Sequence, residues 1–232
     1  MLERGLAGSR EKARAYILAG EVTVDNQKIT KAGQSVAADA KVELAAKLPF
    51  VSRGGLKLQA ALDNFHIDVT GRVCLDSGAS TGGFTDCLLQ RGARRVFAYD
   101  VGSAQLDWKI RTDPRVVVRE NINCRYLTLA DLDEPVSLAV CDVSFISVTM
   151  IVPALVQVLT AEGEMVILVK PQFEVGRGQV GKGGIVRDPV LHQACCDKVE
   201  AAVQALGFKT AIMESPVLGA EGNKEFLLYG RH

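Results

Sequence analysis

Val73-Cys74-Leu75-Asp76-Ser77-Gly78-Ala79-Ser80-Thr81-Gly82-Gly83-Phe84 is an apolar run that stops at a carboxylate, breaks into glycines and resumes as an amphipathic stretch over 84–91. That order predicts a buried strand, a tight loop and a helix. Glycines let the backbone approach a ligand closely, and a helix beginning at Phe84 presents unpaired N–H groups. The loop would sit at the carboxyl end of its strand, where open α/β sheets hold ligands. It is not the dinucleotide fingerprint, because Ser80 stands where the second glycine of G-x-G-x-x-G belongs.

Outward from this loop, short apolar runs over 73–76, 95–100, 116–119, 138–142 and 165–169 alternate with amphipathic stretches over 84–91, 148–159 and 189–206. Continuous apolar strands separated by helices predict a parallel sheet covered on both faces. Two more strands, over 208–214 and 226–229, are joined by the polar loop 218–224. So short a connection predicts that they are antiparallel neighbours.

Upstream of residue 50 the pattern differs. Ser9 is placed to cap a helix over 10–18, with Glu11 in its first turn and Gly20 at its end. Alternation over 21–24, the turn Asp25-Asn26 and the return at Lys28-Ile29 predict a hairpin, and 42–44 closes the unit. The expectation is two short helices and a small strand pair over 1–47, then a linker over 48–55 and a second domain over 56–232. The chain's net charge of zero conceals an asymmetry: residues 1–60 carry ten Lys/Arg against six Asp/Glu. A basic surplus in the small domain fits a polyanionic partner, with Arg10, Lys12, Arg14, Lys28 and Lys31 as candidate phosphate contacts.

Composition narrows the class further. With 48% hydrophobic and 23% charged residues the chain can bury a core, and no apolar run approaches the roughly 18 residues of a membrane span. The charged N-terminus lacks the apolar stretch of an export signal. Cys74, Cys87, Cys124, Cys141, Cys195 and Cys196 form no Cys-x-x-Cys pair, so buried thiols are expected, with no metal site and a cytoplasmic location. Gly176-Arg177-Gly178-Gln179-Val180-Gly181-Lys182-Gly183 nearly matches a phosphate-binding loop, but Gly183 lacks the hydroxyl that would hold magnesium. A flexible basic lid is the expected role.

Ionisable residues punctuate the strand ends. Asp76 and Asp100 end the first two strands of the larger domain, placed to meet a ligand ammonium and ribose hydroxyls. Lys57 lies in the helix before the first of these strands, Asp142 ends the fourth, Lys170 ends the fifth and Glu225 begins the last. Two lysines and two carboxylates in one pocket suit attack by a weakly acidic hydroxyl, with Lys170 as proton acceptor or polariser.

These residues carry a family resemblance. Ser9-Arg10-Glu11-Lys12-Ala13, Ile17, Gly20, Val22 and Val24-Asp25-Asn26-Gln27-Lys28-Ile29 resemble the RNA-binding domain named after ribosomal small-subunit protein S-four. The remainder resembles the FtsJ-like methyltransferases. Joined through Val51-Ser52-Arg53-Gly54-Gly55-Leu56-Lys57-Leu58, the whole is similar to the TlyA family, often labelled hemolysin A. The resemblance implies an α/β fold: a class I, Rossmann-like methyltransferase with a mostly parallel seven-stranded sheet, preceded by a small α+β RNA-binding domain. It implies S-adenosyl-L-methionine as cofactor and a ribose 2′-hydroxyl of ribosomal RNA, free or in a ribosomal subunit, as substrate.

The family's Lys-Asp-Lys-Glu tetrad falls on Lys57, Asp142, Lys170 and Glu225. Its cofactor contacts carry over to Asp76, Ser77, Gly78, Ser80, Gly82, Gly83, Phe84, Asp100 and Val101, to Gln105 and Asn121, and to Asp142, while Arg53 joins the RNA contacts. Family members usually open with an apolar stretch before a Glu-Arg-Gly. Here only Met1 and Leu2 precede Glu3-Arg4-Gly5, so a shortened RNA-binding domain is expected. A membrane-lytic protein is the reading of another class, disfavoured for want of a span. An RNA base N-methyltransferase is the enzymatic rival, but Val143-Ser144-Phe145 follows Asp142 where that class carries Pro-Pro-aromatic.

Overall fold

Cys74, Val96 and Val140 point into one apolar layer, while their neighbours Leu75, Phe97 and Cys141 point into another. This two-residue alternation between two buried faces is what a strand covered on both sides requires. The computed structural model describes residues 1–18, 21–44, 48–219 and 222–232. It divides into two units, Met1–Leu48 and Pro49–His232.

In the first unit, α1 (Arg10–Leu18) is capped by Ser9, whose Oγ accepts from the Lys12 N–H at 3.1 Å. Strands β1 (Val22–Val24) and β2 (Gln27–Ile29) form the expected hairpin. Asp25 and Asn26 take φ of 48° and 66°, the left-handed pair that a two-residue turn needs. Instead of a strand pair there is a three-stranded antiparallel sheet, because β3 (Val42–Leu44) adds to the free edge of β1. No second helix appears among the described residues of this unit; residues 2–5 form a turn closed by Gly5 N–H on Leu2 O. Gly20, the expected helix terminator, and Lys47 lie outside the described residues.

The second unit opens with α2 (Gly54–Asn64) and builds a seven-stranded sheet. Its strands are β4 (Val73–Ser77), β5 (Arg95–Tyr99), β6 (Val116–Arg119), β7 (Val136–Cys141), β8 (Leu159–Val169), β9 (Lys209–Glu214) and β10 (Phe226–Arg231). The order is β6-β5-β4-β7-β8-β10-β9. Strands β4 to β8 run parallel, and β10 enters between β8 and β9, antiparallel to both. The last two strands are therefore antiparallel neighbours as expected.

One apolar layer holds Leu58 and Leu62 of α2 with Phe84 and Leu88 of α3 (Gly83–Gln90) and Ile110 of α4 (Trp108–Arg111). The opposite layer holds Val152 and Leu155 of α5 (Val152–Val158) and Val199 and Val203 of α7 (Pro189–Gln204). Truncating such a buried leucine to alanine costs about 2–5 kcal/mol, so each layer is a substantial part of the fold's stability. The expected helix over 148–159 is divided: a 3₁₀ turn, Val148–Met150, precedes α5, whose first turn contains Pro153. Proline cannot donate to a preceding turn, so the helix restarts there. All six cysteines are buried and unbridged, and burial pushes the thiols of Cys74, Cys87 and Cys196 up to about 12.

No helix among the described residues is long and apolar enough to cross a membrane. The near-match to a phosphate loop lies between α6 (Pro171–Glu174) and α7. A phosphate-binding loop joins a strand directly to its helix, so the position itself argues against nucleotide hydrolysis.

Candidate active site

Strand order reverses between β4 and β7, and the loops leaving their carboxyl ends meet there. The Asp142 N–H donates to Ser77 O at 2.9 Å, which locks the two strand ends together. Gly78 follows with φ of 87°, and a Cβ on it would collide with the Asp142 carbonyl. Only glycine lets the two loops approach this closely. Two cavities open on this junction and share Gly78, Ser80 and Asp142 in their walls.

The larger, about 480 Å³, is lined by Asp100, Val101, Gln105, Asn123, Val143 and Ile146 among others. Asp100 is held rigidly: its Oδ2 accepts from Ser80 N–H at 2.8 Å and its Oδ1 from Gly102 N–H at 2.7 Å. Ionised carboxylate oxygens accept more than one donor each, so acceptor capacity remains for a ligand. A fixed carboxylate beside apolar side chains is the lining a nucleoside requires, with hydroxyls on the carboxylate and a base against the apolar wall. The donor set therefore fits S-adenosyl-L-methionine.

Of the residues expected to contact that cofactor, Gly78, Ser80, Asp100, Val101, Gln105 and Asp142 line this cavity. Gly83 and Phe84 line only the smaller one. Gly82, with φ of 93°, turns the chain over Leu106 and Ile110, and Ser77 is buried at the end of β4. Asn121 bonds back to Gly102 O, and its successors Ile122, Asn123 and Cys124 provide the wall instead. Asp76 is fully buried, its Oδ2 accepting from Thr85 Oγ1 at 2.6 Å, and it lines neither cavity. Burial, with Asp142 and Asp100 nearby, pushes its carboxyl up to about 7.

The smaller cavity, about 220 Å³, is lined by Arg53, Lys57, Thr81, Phe84, Asp142 and Gly219 among others. Of the tetrad, Lys57 and Asp142 line this cavity, while Glu225 and Lys170 line neither and stand behind them as their ion-pair partners. Lys57 Nζ lies 2.5 Å from Glu225 Oε2, with both side chains buried. Lys170 Nζ lies 2.5 Å from Asp142 Oδ1 and donates to Ser144 Oγ at 2.9 Å. A Cβ on Gly219 would collide with Glu225, so the loop before β10 folds tightly over that carboxylate. Asn223 pins the same loop: its Oδ1 accepts from Val186 N–H and its Nδ2 donates to Gly184 O, each at 3.0 Å. Nothing in the local sequence around Asn223 marks this role, because both partners lie 37 and 39 residues away.

Phe145 is a further rim residue that the sequence reading did not single out. It is 91% exposed, takes φ of 66° and packs against Phe173 at 5.2 Å between centroids. A bulky residue at positive φ is rare and marks a constrained turn at the cavity rim.

In the first unit Arg10, Lys12, Arg14, Lys28 and Lys31 are all exposed, and none is ion-paired among the described residues. Arg53, in the second unit, is likewise exposed.

A parallel sheet with one reversed strand near its edge, a glycine loop after the first strand and a nucleoside-sized cavity at the switch point together define a class I methyltransferase. Comparison with known proteins is more specific: the FtsJ-like methyltransferase family matches residues 50–232 and the S4 domain matches residues 1–42. The chain belongs to the FtsJ-like methyltransferase family and, within it, to the TlyA group. It is 46% identical to the 16S/23S rRNA (cytidine-2′-O)-methyltransferase TlyA of Mycobacterium tuberculosis, covering 100% of this chain and 87% of that protein. It is 43% identical to Hemolysin A of Brachyspira hyodysenteriae, covering 97% and 95%. A solved structure from Lactococcus lactis that bears a hemolysin name is 51% identical and superposes with a TM-score of 0.78, covering 80% of this chain and 89% of that one.

Proposed function

We propose that this chain transfers the methyl group of S-adenosyl-L-methionine to a ribose 2′-hydroxyl of ribosomal RNA. The observation that carries this reading is the convergence of the Lys57–Glu225 and Lys170–Asp142 pairs beside a cavity that fits the cofactor, with Asp142 in the walls of both. The name of the Mycobacterium tuberculosis relative describes the same chemistry on cytidine.

When bound, the cofactor supplies an electrophilic methyl group together with its own leaving group. Asp100 and Gln105 would hold its ribose hydroxyls, while Val101 and Ile122 flank its base. The chain's own residues then have the hydroxyl to manage. Asp142 fixes Lys170 at the junction, where Lys170 takes or polarises the hydroxyl proton. The Lys57–Glu225 pair orients the nucleotide from the other side of the smaller cavity. Alignment of two bound reactants can contribute on the order of 7–11 kcal/mol to lowering a barrier, so positioning is the larger part of the catalysis. Arg10, Lys12, Arg14, Lys28 and Lys31 of the S4 domain, with Arg53, meet RNA phosphates. Acting on ribosomal RNA, the chain would work in the cytoplasm.

The test is methyl transfer from radiolabelled cofactor to ribosomal RNA and to isolated subunits, followed by mapping of the label. Label on a ribose 2′-oxygen is the expected result. Label on a base, or no transfer by protein that binds the cofactor, would overturn the proposal. Purified protein should release no dye from liposomes, which separates this reading from the lytic one that the hemolysin names suggest.

A further inference from the structure

The side chain of Glu174 is only 2% exposed, and its carboxylate holds three chain segments at once. Its Oε1 accepts from the Val148 N–H at 2.7 Å. Its Oε2 accepts from Ser147 Oγ at 2.6 Å and from Lys198 Nζ at 2.8 Å, and Lys198 also donates to Glu174 O at 3.0 Å. Ser147 and Val148 close the loop that leaves β7, the loop bearing Asp142, Ser144 and Phe145. Glu174 ends the single turn of α6 that begins just after Lys170 and carries Phe173. Lys198 belongs to α7, which packs behind both.

Two further contacts cross the same seam. One is the Lys170–Asp142 pair and the other the Phe145–Phe173 ring contact. The seam is thus closed from both ends. At its inner end lies an ion pair that is partly open to the cavity. At its outer end lies a carboxylate with every oxygen engaged, anchored to a helix of the core.

A buried carboxylate would be costly without such donors, and three partners from two separate elements fix it in one place. The loop after β7 has no regular structure between Val143 and Ser147; Val143 and Ile146 pack, only partly buried, against the core, while Phe145 is exposed. That packing holds the loop to the core, and the buried contacts that tie it to the α6 turn after Lys170 are the polar ones of Glu174.

We infer that Glu174 is a positioning residue that sets the distance between Asp142 and Lys170 by clamping the β7 loop to the α6 turn. The inference rests on the function proposed above for its effect on rate, though not for its effect on Lys170 itself.

The test uses the full chain with Glu174→Ala and Glu174→Gln. Its first arm needs no substrate: the rate at which a mild acylating reagent modifies Lys170, read by mass spectrometry on the cofactor-free protein. Lys170 is only 11% exposed while paired, so release of Asp142 should speed its labelling about tenfold or more in Glu174→Ala. The second arm is single-turnover methyl transfer. A displacement of about 1 Å at a reacting group can cost on the order of a hundredfold in rate, so the maximal rate should fall by about ten- to a hundredfold. Cofactor affinity and the RNA concentration for half-saturation should stay within about twofold.

Glu174→Gln keeps one acceptor oxygen, for the Val148 N–H, and its amide can donate to Ser147 Oγ in place of accepting from it. It should therefore recover part of both effects, which a general loss of stability would not do. Folded Glu174→Ala with unchanged Lys170 labelling would overturn the inference. If Glu174→Ala does not fold, Ser147→Ala removes one donor and carries the same labelling test with a smaller expected rise; no rise overturns the inference. Should wild type fail to methylate RNA, the proposed function falls, while the labelling arm still decides whether Glu174 positions Lys170.

Discussion

Lys57 and Glu225 are 168 residues apart in the chain and 2.5 Å apart at their charged atoms. Strand β10 makes this possible by entering the sheet beside β8, which brings the loop before it over the start of α2. Removing one partner of a buried pair strands the other charge and typically costs about 3–5 kcal/mol. Glu225→Ala should therefore lower the urea midpoint substantially, whereas Lys57→Met combined with Glu225→Leu should regain much of the loss. Neither variant should methylate RNA. A double variant that recovers activity along with stability would reduce the pair to a structural role.

Lys170 gives the sharpest chemical test. Lys170→Ala should lower single-turnover methylation by about a hundred- to ten-thousandfold, the range of a general base, while both ligands still bind. Lys170→Arg should fail too, because guanidinium does not release a proton near neutral pH. Near-normal turnover by the arginine variant would leave only electrostatic positioning by this side chain.

Cofactor affinity should depend on Asp100. A hydrogen bond to a charged group contributes about 1.5–3 kcal/mol, so Asp100→Ala should weaken S-adenosyl-L-methionine binding by about ten- to a hundredfold in calorimetry. It also frees the Ser80 and Gly102 N–H groups, so circular dichroism should accompany the measurement. Affinity unchanged by the substitution would move the cofactor out of this cavity.

Asp76 should make stability fall as pH rises. Its carboxyl is raised from the ordinary 3.8 to about 7 by burial, so between those values the folded state holds a proton that the unfolded state has lost. Stability decreases with pH wherever the folded state binds more protons. The contribution of Asp76 is thus fully favourable below about pH 4 and is lost progressively up to about pH 7. Asp76→Asn, which keeps an acceptor for Thr85, should flatten the slope of unfolding free energy across roughly pH 4–7. An unaltered slope in urea titrations would show that Asp76 is already ionised.

RNA affinity should track the basic surface of the first unit. Deleting residues 1–47 should lower affinity for ribosomal RNA and flatten its salt dependence, by roughly 0.7–0.9 in log–log slope for each phosphate that is no longer neutralised. Cofactor binding should be nearly unaffected. Equal RNA affinity with and without the segment would place the RNA surface elsewhere.

Much of this molecule could be read along the chain. The strand over 73–76 differs from β4 by one residue, and Asp100, Asp142 and Lys170 follow their strands as expected. Apolar runs, their bounding glycines and the acidic or basic residue at each end are local features, because a strand buried on both faces has to be apolar until it leaves the sheet. The same locality made Ser9 legible as a cap and Asp25-Asn26 as a turn. Chain-local patterns also determined which residues are candidates for chemistry, and the resemblance they carry named that chemistry.

What they could not determine was who meets whom. That β3 would turn the small hairpin into a three-stranded sheet depended on pairing across 18 residues or more, from Val24 to Val42. That the tetrad divides into Lys57–Glu225 and Lys170–Asp142, that Asp76 is sealed beneath its loop, and that Glu174 and Asn223 tie distant loops together are outcomes of packing. Side-chain hydrogen bonds between segments carry no periodicity, since their partners are selected by the sheet order and by the exclusion of water. Sequence alone determined most of the elements, though not the start of β8 at Leu159 or the division of the helix before it; the tertiary structure decided the pairs.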